Sequence, residues 1–141
     1  MSGLIRGLTQ NRAETDPRAE DWRLRGRTYA IPFDRVWNAA LGLCGGGLPR
    51  WSLVSADDHQ GVIRARALTR VLRRLQDVRV TIGLDENGQT RVDVASITLN
   101  RKRDLGSNPR GIHRFLRELD GKLGATREQI LDPTRQPQFT A

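Results

Sequence analysis

Few side chains in this 141-residue chain have the types and spacing that chemistry demands. Acid–base or nucleophilic catalysis needs convergent groups: a base beside a nucleophile, paired carboxylates, or a set of metal ligands. The two histidines are His59, in the turn-like stretch Asp57-Asp58-His59-Gln60-Gly61, and His113, on an amphipathic stretch between Ile112 and Phe115. The single cysteine, Cys44, falls on an apolar stripe, where a buried structural thiol is the ordinary reading and a nucleophile the exception. Asp57-Asp58 reads as turn chemistry rather than as an acid–base or metal pair. Gly45-Gly46-Gly47 follows a helical pattern and precedes a strand pattern, the wrong context for a phosphate-cradling loop. No catalytic residue, metal site or cofactor is expected, and the chain reads as a protein that works by binding rather than as an enzyme.

Charge is the strongest signal for what it binds. Formal net charge is +8, and it is concentrated: residues 60–118 hold 13 Lys and Arg against 6 Asp and Glu. The stretches on either side are close to neutral. A positive face attracts nucleic acid, anionic lipid or an acidic protein. The plain alternative is an arginine-biased, merely solvated surface, since 22 of the 24 basic residues are Arg.

The elements that would position these groups follow from periodicity. Arg27 to Ile31 reads as a short strand ended by Pro32. Phe33, Val36, Trp37, Ala40, Leu41 and Cys44 then fall at the spacing of one helical stripe, stopped by the three glycines. Trp51 to Ser55 is a strand, followed after the Asp57–Gly61 turn by a second in which Ile63, Ala65 and Ala67 alternate with Arg64 and Arg66. Val78, Val80, Ile82 and Leu84 alternate with Asp77, Arg79 and Thr81, and Asp85-Glu86-Asn87-Gly88 is a hairpin turn into a return strand containing Arg91, Val92 and Val94. Asn108 and Pro109 read as the cap and first residue of a last helix whose stripe is Ile112, Phe115, Leu116, Leu119 and Leu123. The order β-α-β-β-β-β-α predicts an α+β fold: a curved antiparallel sheet with both helices on one face, helix-grip-like. The compact domain is expected over 27–123, between an N-terminal extension (1–26) and a C-terminal extension (124–141). The opposite sheet face would present Arg64, Arg66, Arg79 and Arg91 to solvent. Arg101, Lys102 and Arg103, beside the start of the last helix, form a second candidate anion site.

Some of these residues also carry a family resemblance. Asp104-Leu105-Gly106-Ser107-Asn108, followed by Ile112 and Phe115-Leu116, resembles the C-terminal signature of domain-of-unknown-function family 1499. Phe33-Asp34-Arg35-Val36-Trp37-Asn38-Ala39-Ala40 is similar to that family's first helix, and Thr69-Arg70-Val71 with Asp77-Val78 to its central strand pair. The resemblance covers about residues 28–123. It departs from the family pattern at Arg101 and Arg103, where Gly and Ser are common, and at Gly111, where a second basic residue is common. It implies a compact α+β domain, found in bacteria and plant plastids, with no assigned activity.

The functional expectation is a non-catalytic accessory subunit that docks onto a protein partner in a larger assembly through the basic face and its extensions. Leu4, Ile5, Leu8, Trp22 and Phe139 are too scattered to form a core of their own and read as tail anchors that gain order on binding. One cysteine, no signal-like apolar stretch and no apolar run of spanning length point to a cytoplasmic protein, peripheral at an anionic membrane surface. Plastid occurrence of the family adds an energy-transducing complex as a setting by analogy. Two other readings stand beside this one. Nucleic-acid binding is weakened by the absence of aromatics interleaved with the arginines. A lipid or small apolar ligand would sit between sheet and helices.

Overall fold

The computed structural model describes residues 12–70, 73–99 and 107–135. Seven strands form one sheet in the order β3-β4-β5-β6-β2-β7, and β1 pairs with β6 beside β2. The strands are β1 (Arg12–Glu14), β2 (Arg27–Tyr29), β3 (Trp51–Asp57), β4 (Val62–Leu68), β5 (Leu75–Leu84), β6 (Thr90–Thr98) and β7 (Ile130–Leu131). Every pairing is antiparallel. Helix α1 spans Phe33–Gly42 and helix α2 spans Ser107–Leu123. Among the described residues no helix is long and apolar enough to cross a membrane.

The alternation along each strand explains which face is covered. Ile63, Ala65 and Ala67 on β4, Val78, Val80 and Ile82 on β5, and Val92 and Val94 on β6 are all buried. They form one cluster with Val36, Trp37 and Ala40 of α1 and with Ile112, Phe115, Leu116 and Leu119 of α2. Two single-sided helices and one sheet face thereby hide their apolar surface from water together. The α+β arrangement expected from periodicity is the one observed.

The compact body reaches beyond residues 27–123. Ala13 of β1 is fully buried and Leu24 is 2% exposed, so residues 12–26 contribute side chains to the same core. Ile130 packs against it from β7, which extends the sheet past β2. A three-residue strand such as Arg-Ala-Glu has no periodicity to read, and only tertiary pairing with Ala95–Ile97 makes it a strand. Expected anchors Leu4, Ile5, Leu8 and Phe139 lie outside the described residues.

Two polar ties fix α2 on the sheet. At its start, the Asn108 amide donates to Thr98 Oγ1 at 2.9 Å and its carbonyl accepts from Ser96, while Gln76 Nε2 donates to Ser107 Oγ at 3.2 Å. Asn108, expected as a cap, is thus the second residue of the helix and holds it to β6. Near its end, Asp120 accepts from Arg27 Nε at 3.1 Å and from the Tyr29 hydroxyl, both on β2. Burial and the neighbouring Asp120 carboxylate push the Tyr29 phenol far above its ordinary range.

The β3–β4 turn depends on Gly61. Its φ is +71°, and a Cβ there would lie 2.1 Å from the Ile82 carbonyl oxygen on β5. The obstacle is backbone, and Gly61's own carbonyl accepts from Ile82 N–H at 2.7 Å, so neither side can retreat. Gly61→Ala is expected to destabilise the fold by roughly 3 kcal/mol or more through clash and left-handed strain. Chemical denaturation of full-length protein reads this directly, and a loss under 1 kcal/mol would contradict the packing described.

Candidate basic binding surfaces

The arginines expected on the outer sheet face divide into two groups. Arg64, Arg66 and Arg79 are exposed there as expected, with Arg64 and Arg79 directly opposed across β4 and β5. They share one carboxylate: Arg64 donates to Asp77 at 2.8 Å, and Arg66 lies 4.0 Å from it. Arg79 has no ion pair among the described residues. Beside β1, Arg12, Arg64 and Arg79 border a hollow of about 310 Å³ over Ala95 and Ile97.

Arg91 corrects the expectation. It occupies the same sheet face but is only 5% exposed, because the chain before β2 crosses over it. Its guanidinium donates to the Arg25 carbonyl at 2.6 Å, to both Asp93 oxygens at 2.7 and 3.1 Å, and to Thr28 Oγ1 at 3.3 Å. Gly26, at φ +72°, passes so close that a Cβ would lie 2.5 Å from the guanidinium. Alternation assigns a residue to a face, but it does not say what lies on that face. Arg91 is therefore a structural clamp on the N-terminal segment and offers nothing to a partner. Arg101, Lys102 and Arg103 lie outside the described residues.

A larger concentration of positive charge sits on the helix side of the sheet. A cavity of about 580 Å³ opens between the end of the β3–β4 pair and the first turns of α2. Arg50, Arg70, Arg74, Arg110 and Arg114 border it, and among the described residues no carboxylate does. Trp51 and Phe115, stacked at 5.5 Å between ring centroids and 14° between planes, form its apolar wall. Gln76 and Ser107 add polar groups at the rim, and Gly111 leaves that part of the helix surface bare. Arg74 is the exceptional member: it is 5% exposed, and its Nε has no hydrogen-bond partner. Its backbone is fixed instead, with Arg74 N–H donating to Thr69 Oγ1 at 2.8 Å and Thr69 N–H donating to the Arg74 carbonyl at 2.9 Å. Sequence reading passed over this residue because it lies in a hairpin connection with no periodicity to assign its side chain.

Next to this cavity the basic strip continues along α2 to Arg117, where a hollow of about 360 Å³ also involves Arg23, His113 and the carboxylate-bearing Glu118. Trp22 stands over His113 edge-on, ring centroids 4.7 Å apart, and remains 61% exposed. Asp21 positions the start of this segment by accepting from Arg23 N–H at 3.0 Å and from its guanidinium at 2.8 Å. That pairing with Arg23 holds the Asp21 carboxyl below its ordinary range. Burial, together with the charges of Arg27, Arg117 and Arg23, lowers the affinity of His113 for a proton.

The remaining candidates for chemistry are placed as follows. His59 lies in the exposed turn where Asp57 Oδ1 accepts from the backbone N–H groups of His59 and Gln60 at 3.0 and 3.2 Å. Among the described residues no group of three His, Cys, Asp or Glu is arranged to hold a metal ion. Cys44 is fully buried in the core, and burial pushes its thiol up to about 12.

The fold and these surfaces define an open-sheet α+β domain with a cluster of arginines beside the second helix. The chain belongs to the family described as "Protein of unknown function (DUF1499)", whose model matches residues 10–119. That span takes in β1 and most of α2, and it begins before the stretch of about residues 28–123 over which the resemblance runs. No curated protein sequence matches the chain.

Two outcomes test these placements. Arg91→Met should cost about 2–4 kcal/mol of stability by stranding the Arg25 carbonyl and Asp93, whereas Arg79→Met on the same face should stay within about 0.5 kcal/mol; equal effects in denaturant titrations would contradict the clamp. Cys44 should resist an aromatic disulfide reagent at pH 8 in the native state and react on unfolding; rapid native labelling would show that the thiol is not where the core places it.

Proposed function

We propose that this chain is a non-catalytic accessory domain that docks onto an acidic protein partner through the surface centred on Trp22. The observation that carries the reading is the indole itself, 61% exposed and edge-on to His113, whose side chain shares a hollow with Arg23, Arg114, Arg117 and Glu118. Tryptophan and arginine are the residues that most often carry binding energy at protein interfaces, and an aromatic standing in water loses solvent-exposed area only when something covers it. Trp22 needs no disorder-to-order step within its own segment, because Asp21, Leu24 and the ties to Arg91 already hold it. The ordering cost that weakens a flexible tail's binding is thus small here.

The outer sheet face supports this reading less well. Arg64 and Arg66 there face Asp77, and exposed arginines without an aromatic among them make a diffuse attraction rather than an anchor. The same contrast favours a protein over nucleic acid, since Trp22 is one ring and single-strand binding uses a succession of them. The proposed setting is the cytoplasmic side of an assembly, with the chain peripheral to an anionic membrane surface.

Full-length protein under native conditions should migrate in a salt-sensitive complex. Trp22→Ala should weaken that association at least tenfold, about 1.4 kcal/mol, while leaving the unfolding midpoint of the isolated protein nearly unchanged. Arg114→Glu with Arg117→Glu should slow association and flatten its dependence on salt. Migration as a monomer, or a complex that Trp22→Ala leaves intact, would overturn the proposal. Sedimentation with anionic vesicles in place of protein association would reassign the surface to a membrane.

A further inference from the structure

The geometry points to a second binding site: the cavity beside the start of α2 takes a phosphate monoester or pyrophosphate group, with the buried Arg74 as its principal donor. This goes beyond the docking surface, which lies farther along α2, shares Arg114 at its border and does not use Arg74.

The inference begins with a cation that the fold leaves without an anion. A guanidinium has five N–H donors and carries its charge at every accessible pH. Taking it out of water is costly unless acceptors replace the lost hydration. Arg91 shows how this chain normally meets that cost, with four acceptors in reach of one buried guanidinium. Arg74 is as deeply buried, borders a cavity of about 580 Å³, and its Nε has no acceptor. Its surroundings increase the imbalance: Arg50, Arg70 and Arg114 border the same cavity, with no carboxylate among the described lining residues. An oxyanion entering there would supply the missing acceptors and relieve the mutual repulsion of the arginines.

The chemistry of the site narrows the class of anion. Guanidinium pairs tetrahedral and planar oxyanions bidentately, and several converging forks favour a group with three peripheral oxygens and more than one charge. A single carboxylate offers two oxygens and one charge, too little for this set. The Trp51–Phe115 stack gives an apolar wall against which the organic part of a phosphate ester can lie. Gly111 lines the cavity without a side chain, and a Cβ there would lie 3.5 Å from Gln76 Oε1.

A soluble organic phosphate and a phosphate-bearing lipid headgroup share this chemistry, and the test separates them. Full-length protein is titrated with inorganic pyrophosphate by calorimetry and thermal unfolding. In parallel it is sedimented with phosphatidylcholine vesicles with and without 10–20 mol % phosphatidic acid, roughly the range where electrostatic recruitment is seen. Arg74→Met, which keeps the packed stem and removes the charge, should leave the unliganded protein as stable as wild type or more so, and weaken ligand binding at least tenfold. A merely structural Arg74 would do the reverse, lowering unliganded stability and leaving the ligand response alone. Should Arg74→Met fail to fold, Arg70→Gln at the exposed rim decides, against Arg79→Gln on the far sheet face as the control of equal charge. Saturable pyrophosphate binding that depends on Arg74 or Arg70, but not on Arg79, supports a soluble ligand. Recruitment to phosphatidic acid vesicles alone, with the same dependence, supports a headgroup. No saturable binding to either, or binding equally weakened by Arg79→Gln, overturns the site.

Discussion

Strand β6 is the constraint on which the rest of the molecule depends. One edge pairs with β5 along its whole length, from Thr90 opposite Leu84 to Thr98 opposite Gln76. The other edge is divided between β2 at Thr90–Val92 and β1 at Ala95–Ile97. Its helix-side face carries Ser96 and Thr98, which hold Asn108 and so the start of α2. A one-residue slip of this strand would turn Ser96, Thr98, Val92 and Val94 outward and Arg91 and Asp93 into the core. Core, helix position and N-terminal segment are therefore set by a single register.

That sharing explains why the two basic surfaces lie where they do. The chain between β1 and β2 must leave one half of the β6 edge and return to the other. It swings out against α2 in doing so, placing Leu24 in the core and Trp22 over His113. On its way back it lays Arg25 and Gly26 over Arg91 and withdraws that arginine from solvent. The fixing of α2 at Ser107 and Asn108, close to Gln76 of β5, leaves a gap toward the β3–β4 end, where the arginines of the β4–β5 connection and of the helix converge. Positive charge thus gathers on the helix side as a consequence of how the strands share an edge.

Much of the architecture was legible in the sequence because the hydrophobic periods are clean. Ile63, Ala65 and Ala67, then Val78, Val80 and Ile82, give two-residue alternation, and the stripes of both helices match the residues found in the core. What periodicity could not supply is the identity of the neighbours. Arg91 reads as outward-facing, and it is, but a segment with no pattern of its own covers it. Asn108 reads as a helix cap from its place before a proline, yet its partners are side chains on β6, ten and twelve residues away. Arg74 stands in a connection where sequence assigns no face at all, and only the folded hairpin shows its Nε buried without an acceptor. Trp22 reads as a tail anchor; its platform, His113, comes from a helix some ninety residues later.

The central claim is that functional positive charge lies beside α2, within the cavity, rather than on the outer sheet face where the arginine alternation first places it. The most direct measurement is a map of arginine side-chain Nε–Hε resonances in full-length protein as pyrophosphate is added. The account predicts saturable shifts at Arg74, Arg110 and Arg114 with Arg64, Arg66 and Arg79 unmoved. Shifts confined to Arg64, Arg66 and Arg79, with Arg74 unchanged, would contradict it.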